Sequence, residues 1–285
     1  MDISRDDQDP PATSSSIGLP AAGWYPDPEN PSRSRYWNGT AWTSWHRSGP
    51  GTPPLSPQYR PLATLAQVVI VLLAAYFVVT AIGVVSDWLE LELINRIAED
   101  QAAVTQAELD ASDARQGLIG IVQVLIYLAT GIMFIIWFRR AYRNLEAWGT
   151  ESLRFEAGWT VGGWLVPFLN LVRPKQIMND LWRATDPELS VQPGIAWKQV
   201  RVPLLVHAWW LLFLLSLAVG FVASNLGGEA STLEEFRSAS IVTLLSDALD
   251  LPAAVLACLV VNQITQRQRG RAEQRLSTDL GAPDQ

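Results

Sequence analysis

Cysteine and histidine are almost missing from this chain: Cys258, His46 and His207 are the whole supply in 285 residues. One cysteine excludes an intrachain disulfide, and so few ligands exclude a zinc site of the usual set. The sequence gives no metal site and no cofactor site. Also missing are a phosphate-cradling glycine loop, a nucleophile elbow and a metalloprotease helix, so no catalytic residue is assigned and the chain reads as a non-enzyme. Basic residues are not gathered on one module, which argues against nucleic acid as a partner. The first sixty residues hold no long apolar run, so no cleaved signal peptide is expected and the first span must act as the insertion signal.

What the chain does have is four apolar runs, 62–85, 117–138, 202–222 and 240–262. At about 1.5 Å per residue each can cross a hydrocarbon layer of roughly 30 Å as a helix. All 21 Lys and Arg lie outside them, 18 in alternate segments (the amino-terminal segment, the second loop and the tail) and 3 in the other two loops. Basic residues stay on the cytoplasmic side, which places both termini in the cytoplasm of a multi-pass plasma-membrane protein. The stretch 158–172 is apolar but interrupted by Gly162, Gly163, Pro167 and Asn170. Counting it as a fifth span would divide the basic residues 10 to 11 and abolish the asymmetry. It is therefore expected to be re-entrant or interfacial. The expected fold is an all-α integral membrane protein: four transmembrane helices, a cytoplasmic interfacial or re-entrant element, and a small aromatic β-hairpin module at the amino terminus.

Along the chain, residues 1–22 read as a disordered tail, and 23–46 as a Trp-rich module containing Trp24, Tyr25, Tyr36, Trp37, Trp42 and Trp45. Asn38-Gly39 between Trp37 and Trp42 is a tight-turn dipeptide, since both residues tolerate positive φ. A hairpin packed on the Gly23–Pro28 strand is expected, held by stacked indoles. Residues 47–61 form a Pro/Gly linker, 62–265 the membrane domain and 266–285 a polar cytoplasmic tail. The first loop, 86–116, predicts short solvated helices. In the second loop a helix is expected to end near Gly149. Another opens at Pro174, with Ile177, Met178, Leu181 and Trp182 on one face.

Two stretches resemble known families. Gly23-Trp24-Tyr25-Pro26-Asp27-Pro28, followed by Arg35-Tyr36-Trp37-Asn38-Gly39 and Trp42-Thr43, resembles domain of unknown function family 2510, a short module found at the start of actinobacterial membrane proteins. This chain has Asn38 where the usual pattern has Asp, and both fit the turn. The second stretch begins at Phe134, Trp137 and Asn144-Leu145 and continues through Gly158-Trp159, Pro167 and Asn170-Leu171-Val172-Arg173-Pro174. It closes with Gln176, Asp180-Leu181-Trp182 and Pro187. It resembles domain of unknown function family 4328 over roughly residues 60–270. That resemblance implies a four-span membrane fold and supplies no activity.

Three groups of residues carry candidate chemistry. Asp247 and Asp250 lie three apart on one face of the fourth run. Each costs about 2.5–3.5 kcal/mol at mid-membrane if charged and unpaired. Counting depth from the centre of each run puts Asp250 level with Tyr127 and Tyr76, and Asp247 level with Gln123 and Ser216. A proton or cation site, a pair of protonated acids clamping helices, and aspartates in a wet outer vestibule all fit. The cytoplasmic motif of Gly158, Trp159, Pro167, Asn170, Arg173, Pro174, Gln176, Asp180 and Trp182 fits an interfacial anchor, with Trp159, Trp164 and Trp182 at headgroup level and Arg173 and Lys175 on lipid phosphates. It also fits a gate or ligand-binding loop. His207 is expected near the cytoplasmic face, hydrogen-bonded and apart from Asp250. The tryptophans of the amino-terminal module either form its core or bind a peptide.

The sequence thus points first to a non-enzymatic envelope scaffold or interaction protein. Its partners would be the lipid bilayer and an unknown protein or peptide at the amino-terminal module; its oligomeric state is open. The alternative is a small transporter, channel subunit or proton-linked sensor using Asp247 and Asp250.

Overall fold

The computed structural model describes residues 21–48, 59–186 and 195–281. Most of the predicted disordered tail, most of the Pro/Gly linker, Pro187 and the last four residues of the polar tail lie outside the described residues. The chain divides into two compact units, Met1–Tyr59 with Arg143–Leu153, and Arg60–Tyr142 with Arg154–Gln285.

The larger unit is a helical bundle. Four helices are long and apolar enough to cross a membrane: α1 (Ala63–Glu99), α2 (Gln106–Ala147), α5 (Leu204–Glu229) and α6 (Leu233–Gly281). Between α2 and α5 lie the short α3 (Trp159–Leu165) and α4 (Arg173–Ala184). α1, α2 and α6 far outrun their apolar cores. The first loop does not form separate short helices as expected; α1 and α2 continue through it and are divided only by a 3-10 turn at Gln101–Ala103. The reason is local. Neither Pro nor Gly interrupts 86–116, and its Glu, Leu, Ala, Arg and Gln residues favour helix.

Two capping boxes start the descending helices. Thr105 N–H and Oγ1 donate to Glu108 Oε2 (both 2.9 Å), while Glu108 N–H returns a bond to Thr105 Oγ1 at 3.3 Å. Thr232 and Glu235 repeat the exchange at 2.9 and 3.3 Å before α6. Gly149, at φ +68°, follows the end of α2 as its spacing predicts.

Cross-helix contacts fix the register. Tyr76 on α1 meets Asp250 on α6, and Asn95 meets Arg237; α1 and α6 therefore run antiparallel. Trp137 on α2 meets Thr265 on α6, and Ala141 meets Gln268; those two run parallel. The tightest core is not at the centre of the bundle but at the end where α4 sits. Trp137, Phe138, Tyr142, Ile177, Met178, Leu181, Ile264 and Gln268 are fully buried there. Trp137 Nε1 donates to Thr265 Oγ1 (3.1 Å), and Gln268 Nε2 to the Ala141 carbonyl (2.8 Å), so these two buried side chains are paired across α2 and α6.

The smaller unit holds a three-stranded antiparallel sheet in the order β1 (Gly23–Asp27), β2 (Asn30–Trp37), β3 (Trp42–Ser48). Register pairs Trp24 with Tyr36, and Trp37 with Trp42. Aromatic rows follow from the period-two alternation. Tyr36 lies against Trp24 and Trp45 at 5.4 and 5.9 Å, and Trp42 against Tyr25 and Trp37 at 6.1 and 5.3 Å. The β2–β3 connection differs from the expected two-residue turn. Only Gly39 has positive φ (+96°). Asn38 acts through its side chain, whose Oδ1 accepts from Thr40 N–H, Thr40 Oγ1 and Ala41 N–H at 2.7–2.9 Å.

Asp27 closes the β1–β2 turn. Its buried carboxylate accepts from Glu29 N–H at 3.0 Å and from Arg33 Nε at 2.5 Å. The Glu29 amide, then Arg33 and Arg35, hold its pKa below the usual carboxylate range against the opposing effect of burial. A carboxyl depressed on folding stabilises the sheet above its unfolded pKa, about 3.9, and that stability is lost as pH falls through the folded value. Asp27→Asn should therefore lower the sheet's melting temperature at pH 7, and the gap to wild type should shrink toward pH 3. Tryptophan fluorescence on heating at both pH values measures it; an equal gap at both would contradict the assignment.

Candidate functional site

A polar site forms where α1, α2, α5 and α6 meet at mid-bundle. Tyr76 Oη donates to Asp250 Oδ2 at 2.5 Å, and Ser216 Oγ donates to Asp250 Oδ1. One turn along α6, Asp247 Oδ2 accepts from Gln123 Nε2 at 2.8 Å. Gln123 thus stands level with Asp247, as depth counting expects, whereas Ser216 pairs with Asp250 rather than Asp247. Tyr127 donates to neither acid among the described hydrogen bonds; its ring lies 5.9 Å from that of Tyr76, beside Asp250.

The geometry depends on small residues. A Cβ on Gly83 would stand 2.8 Å from Asp247 Oδ2 and 2.9 Å from Gln123 Nε2. Only glycine lets α1 pass this close to the pair. Gly220 on α5 does the same for Ser246, whose Oγ would lie 3.1 Å from an added Cβ. Pro252 lies inside α6 just beyond Asp250. It has no N–H to give the carbonyl of Ala248 and interrupts the ladder beside the acids. The four apolar runs contain no Lys or Arg, so the sequence supplies no cation at this depth.

Asp250 also lines a cavity of about 190 Å³ that extends toward the α4 end. One wall carries the carboxyl and the Tyr76 and Tyr127 rings; the rest is apolar, formed by Phe134, Trp164, Trp209 and Phe213 among others. Trp164 comes from α3. Its ring lies 5.8–6.3 Å from those of Phe134, Phe138, Trp210 and Phe213, and its buried indole N–H has no hydrogen-bond partner. Phe213 stands near the middle of its apolar run. One side chain of the 158–172 element, Trp164, thus reaches the rings of α5, while Leu165 and Phe168 are exposed.

The three tryptophans expected together at headgroup level, Trp159, Trp164 and Trp182, have different surroundings. Trp164 enters the bundle, and Trp182 is buried beneath the Arg267 guanidinium (4.3 Å). Only Trp159 is exposed, near the Arg173 guanidinium at 5.2 Å. Arg173 also covers Phe155 at 4.4 Å, and a Cβ on Gly163 would press its Cβ at 3.1 Å. Gly158 and Pro174 lead into α3 and α4, while Gln176 N–H bonds the Val172 carbonyl. Beyond Pro167, Phe168 holds φ +63°, unfavourable for a side chain with Cβ, and is 83% exposed. Asn170 is half-buried, its N–H bonded to the Val166 carbonyl.

Asp180 is fully buried on α4, 3.6 Å from Arg154 Nη2, and neither of its oxygens has a hydrogen-bond partner among the described residues. Burial pushes its pKa up, against Arg154, Arg183 and Lys198. Lys175 donates to Asn179 Oδ1 at 2.8 Å, and burial, with Arg183, brings its pKa down to about 8. His207 is exposed on α5.

Reading the sequence missed Gly83, Pro252, Asp87 and Gln116. The signal for Gly83 and Asp87 was the spacing Tyr76, Thr80, Gly83, Asp87, Glu90, one helical stripe that becomes visible once α1 is read past the apolar run. Gly83→Val should separate Asp247 from Gln123 and cost about 1–3 kcal/mol. In a Gln123→Ala background, where the crowded amide is gone, the same substitution should cost less. Thermal unfolding of the four proteins in detergent gives the coupling; strictly additive costs would contradict the close approach.

A family model described as protein of unknown function (DUF2510) matches residues 22–55, the aromatic sheet and the segment after it. No curated protein and no solved structure matches the chain. A second family model matches residues 100–266, which take in α2 to α5 and most of α6, including Asp247, Asp250 and the motif of α3 and α4. The chain belongs to that family, described as domain of unknown function (DUF4328).

Proposed function

We propose that this is a non-enzymatic plasma-membrane protein with both termini cytoplasmic, and that its membrane domain takes up a proton or cation at Asp247 and Asp250 as a small transporter, channel subunit or sensor. The observation that carries the reading is the setting of Asp250: a carboxyl held by two hydroxyls at the edge of a cavity. A pair of acids serving only to clamp helices would be expected in close-packed surroundings, since a void forfeits contacts. In lipid, ionisable groups facing a cavity mark ion and proton pathways by default. The α4 end, with its basic loop, is then the cytoplasmic end.

A scaffold role for the amino-terminal sheet stands beside this reading. It is favoured by the row Trp24, Tyr36, Trp45, whose last member is 38% exposed. Such a row suits a peptide partner.

Replacing both acids, Asp247→Asn with Asp250→Asn, keeps hydrogen bonding and removes titration. In sealed proteoliposomes holding a pH dye, a pH step should drive proton or cation movement through wild type and at least tenfold less through the double variant. Equal flux, with a growth phenotype only on removal of residues 22–55, would favour the scaffold.

A further inference from the structure

Both ends of the bundle bury polar groups, but toward the α1–α2 turn they run on without a break from Asp247. Toward the α4 end, the space below the cavity closes on the fully buried Trp137, Phe138, Ile177, Met178, Leu181 and Ile264. Toward the α1–α2 turn, polar side chains continue instead. On α1 the stripe Tyr76, Gly83, Asp87, Glu90 runs about 21 Å at 1.5 Å per residue, more than half a hydrocarbon layer of roughly 30 Å. On α2, Gln123 and Gln116 face it seven residues apart. Gln123 serves Asp247, while the Gln116 amide donates to Asp87 Oδ1 at 3.2 Å and to Glu90. Ser86 donates to Gln116 Oε1 at 3.1 Å and accepts from Arg115 Nε at 2.8 Å.

We propose that protons reach Asp250 from the α1–α2 turn face, passing Glu90, Asp87 and Asp247, and that the α4 end is closed to them. The inference rests on the reading of Asp247 and Asp250 as a titrating site and adds the direction of access. An independent observation supports it: Asp87 is 5% exposed, yet its Oδ2 is buried with no hydrogen-bond partner. Buried carboxylate oxygens are otherwise satisfied by protein or ordered water. The unpaired oxygens of Asp180 at the α4 end have Arg154 at 3.6 Å, whereas Asp87 has no ion pair among the described residues, so its Oδ2 calls for water inside the stripe. Asp87 stands one turn along α1 from Gly83, where that helix passes closest to Asp247, which makes the two acids successive stations.

The arrangement suits a proton rather than a metal ion. The carboxyls are strung singly along an axis, and among the described residues no three His, Cys, Asp or Glu gather to hold a metal. Each transfer breaks one O–H bond on water or a carboxylic acid and makes another on the next oxygen, with no change of oxidation state. The groups around Asp247 and Asp250 are Tyr76 and Asp87 from α1, Tyr127 and Gln123 from α2, Ser216 from α5, and each other on α6, with Glu90 one step further at Gln116. Arg115, bonded to Ser86 near the turn, is the nearest basic group of the column.

The test is infrared difference spectroscopy of the full chain in sealed vesicles of one orientation, with pH stepped on one face at a time. The Asp250 carboxyl band is identified by its loss in Asp250→Asn. It should respond to a step on the α1–α2 turn face, at least tenfold more slowly in Asp87→Leu with Glu90→Gln, and at least tenfold more slowly to a step on the α4 face. If Asp87→Leu fails to fold, Asp87→Asn with Glu90→Gln replaces it, and the face comparison in wild type stands without either. A band that follows the α4 face first, or both faces equally, overturns the direction of access while leaving the titrating site intact. A band that follows neither face overturns the titrating site itself.

Discussion

Two carboxyl groups three residues apart on a membrane-spanning helix must find partners, and the partners they find set the register of the bundle. The cost of an unpaired acid at mid-membrane, about 2.5–3.5 kcal/mol on insertion scales, exceeds what most pairs of apolar side chains gain by sliding one turn. Hydrophobic transfer offers no drive once helices are in lipid, so packing and polar contacts decide their alignment. Asp250 binds Tyr76 on α1 and Ser216 on α5, and Asp247 binds Gln123 on α2. Four helices are thereby pinned at one level. Gly83 and Gly220 follow from the same demand, since a side chain at either position would press on the polar groups it packs against.

From that level the bundle becomes two different materials. Toward α4 it is a dense core, where rings from α2, a face of α4 and the extension of α6 leave no polar atom of Trp137 or Gln268 unsatisfied. Toward the α1–α2 turn it is a ladder of amides, hydroxyls and carboxyls. The cavity lies between them, with Trp164 supplied by α3. The rings of Phe134, Phe138, Trp210 and Phe213 on α2 and α5 surround that indole, while Leu165 and Phe168 just beyond it are exposed.

The four spans were legible because apolar length and the absence of Lys and Arg are properties of composition. The amphipathic face of α4 was legible because Ile177, Met178 and Leu181 repeat at helical spacing. Partners of the acids were legible to within one turn: counting found Tyr76 and Gln123 but gave Ser216 to the wrong aspartate. That error comes from assuming that every run is centred at the same depth. The helical continuation through 86–116 was not read, because a solvated helix shows no apolar period; the Thr105–Glu108 capping box was the available sign. The path of Trp164 could not be read at all. A short run broken by two glycines has the same composition whether it lies on a membrane surface or folds into a bundle.

Three aspartates, two buried and one half-buried, show how surroundings decide what an acid can do. Asp27 has a backbone N–H and an arginine, so its charge is fully answered and it serves the turn. Asp180 faces Arg154 without a hydrogen bond, so charge is balanced while direction is not. Asp250 has hydrogen bonds from two hydroxyls and, in four spans without Lys or Arg, no resident cation beside it. A hydroxyl can pair with a carboxyl in either of its forms, so Asp250, unlike Asp27 and Asp180, is held without a fixed countercharge.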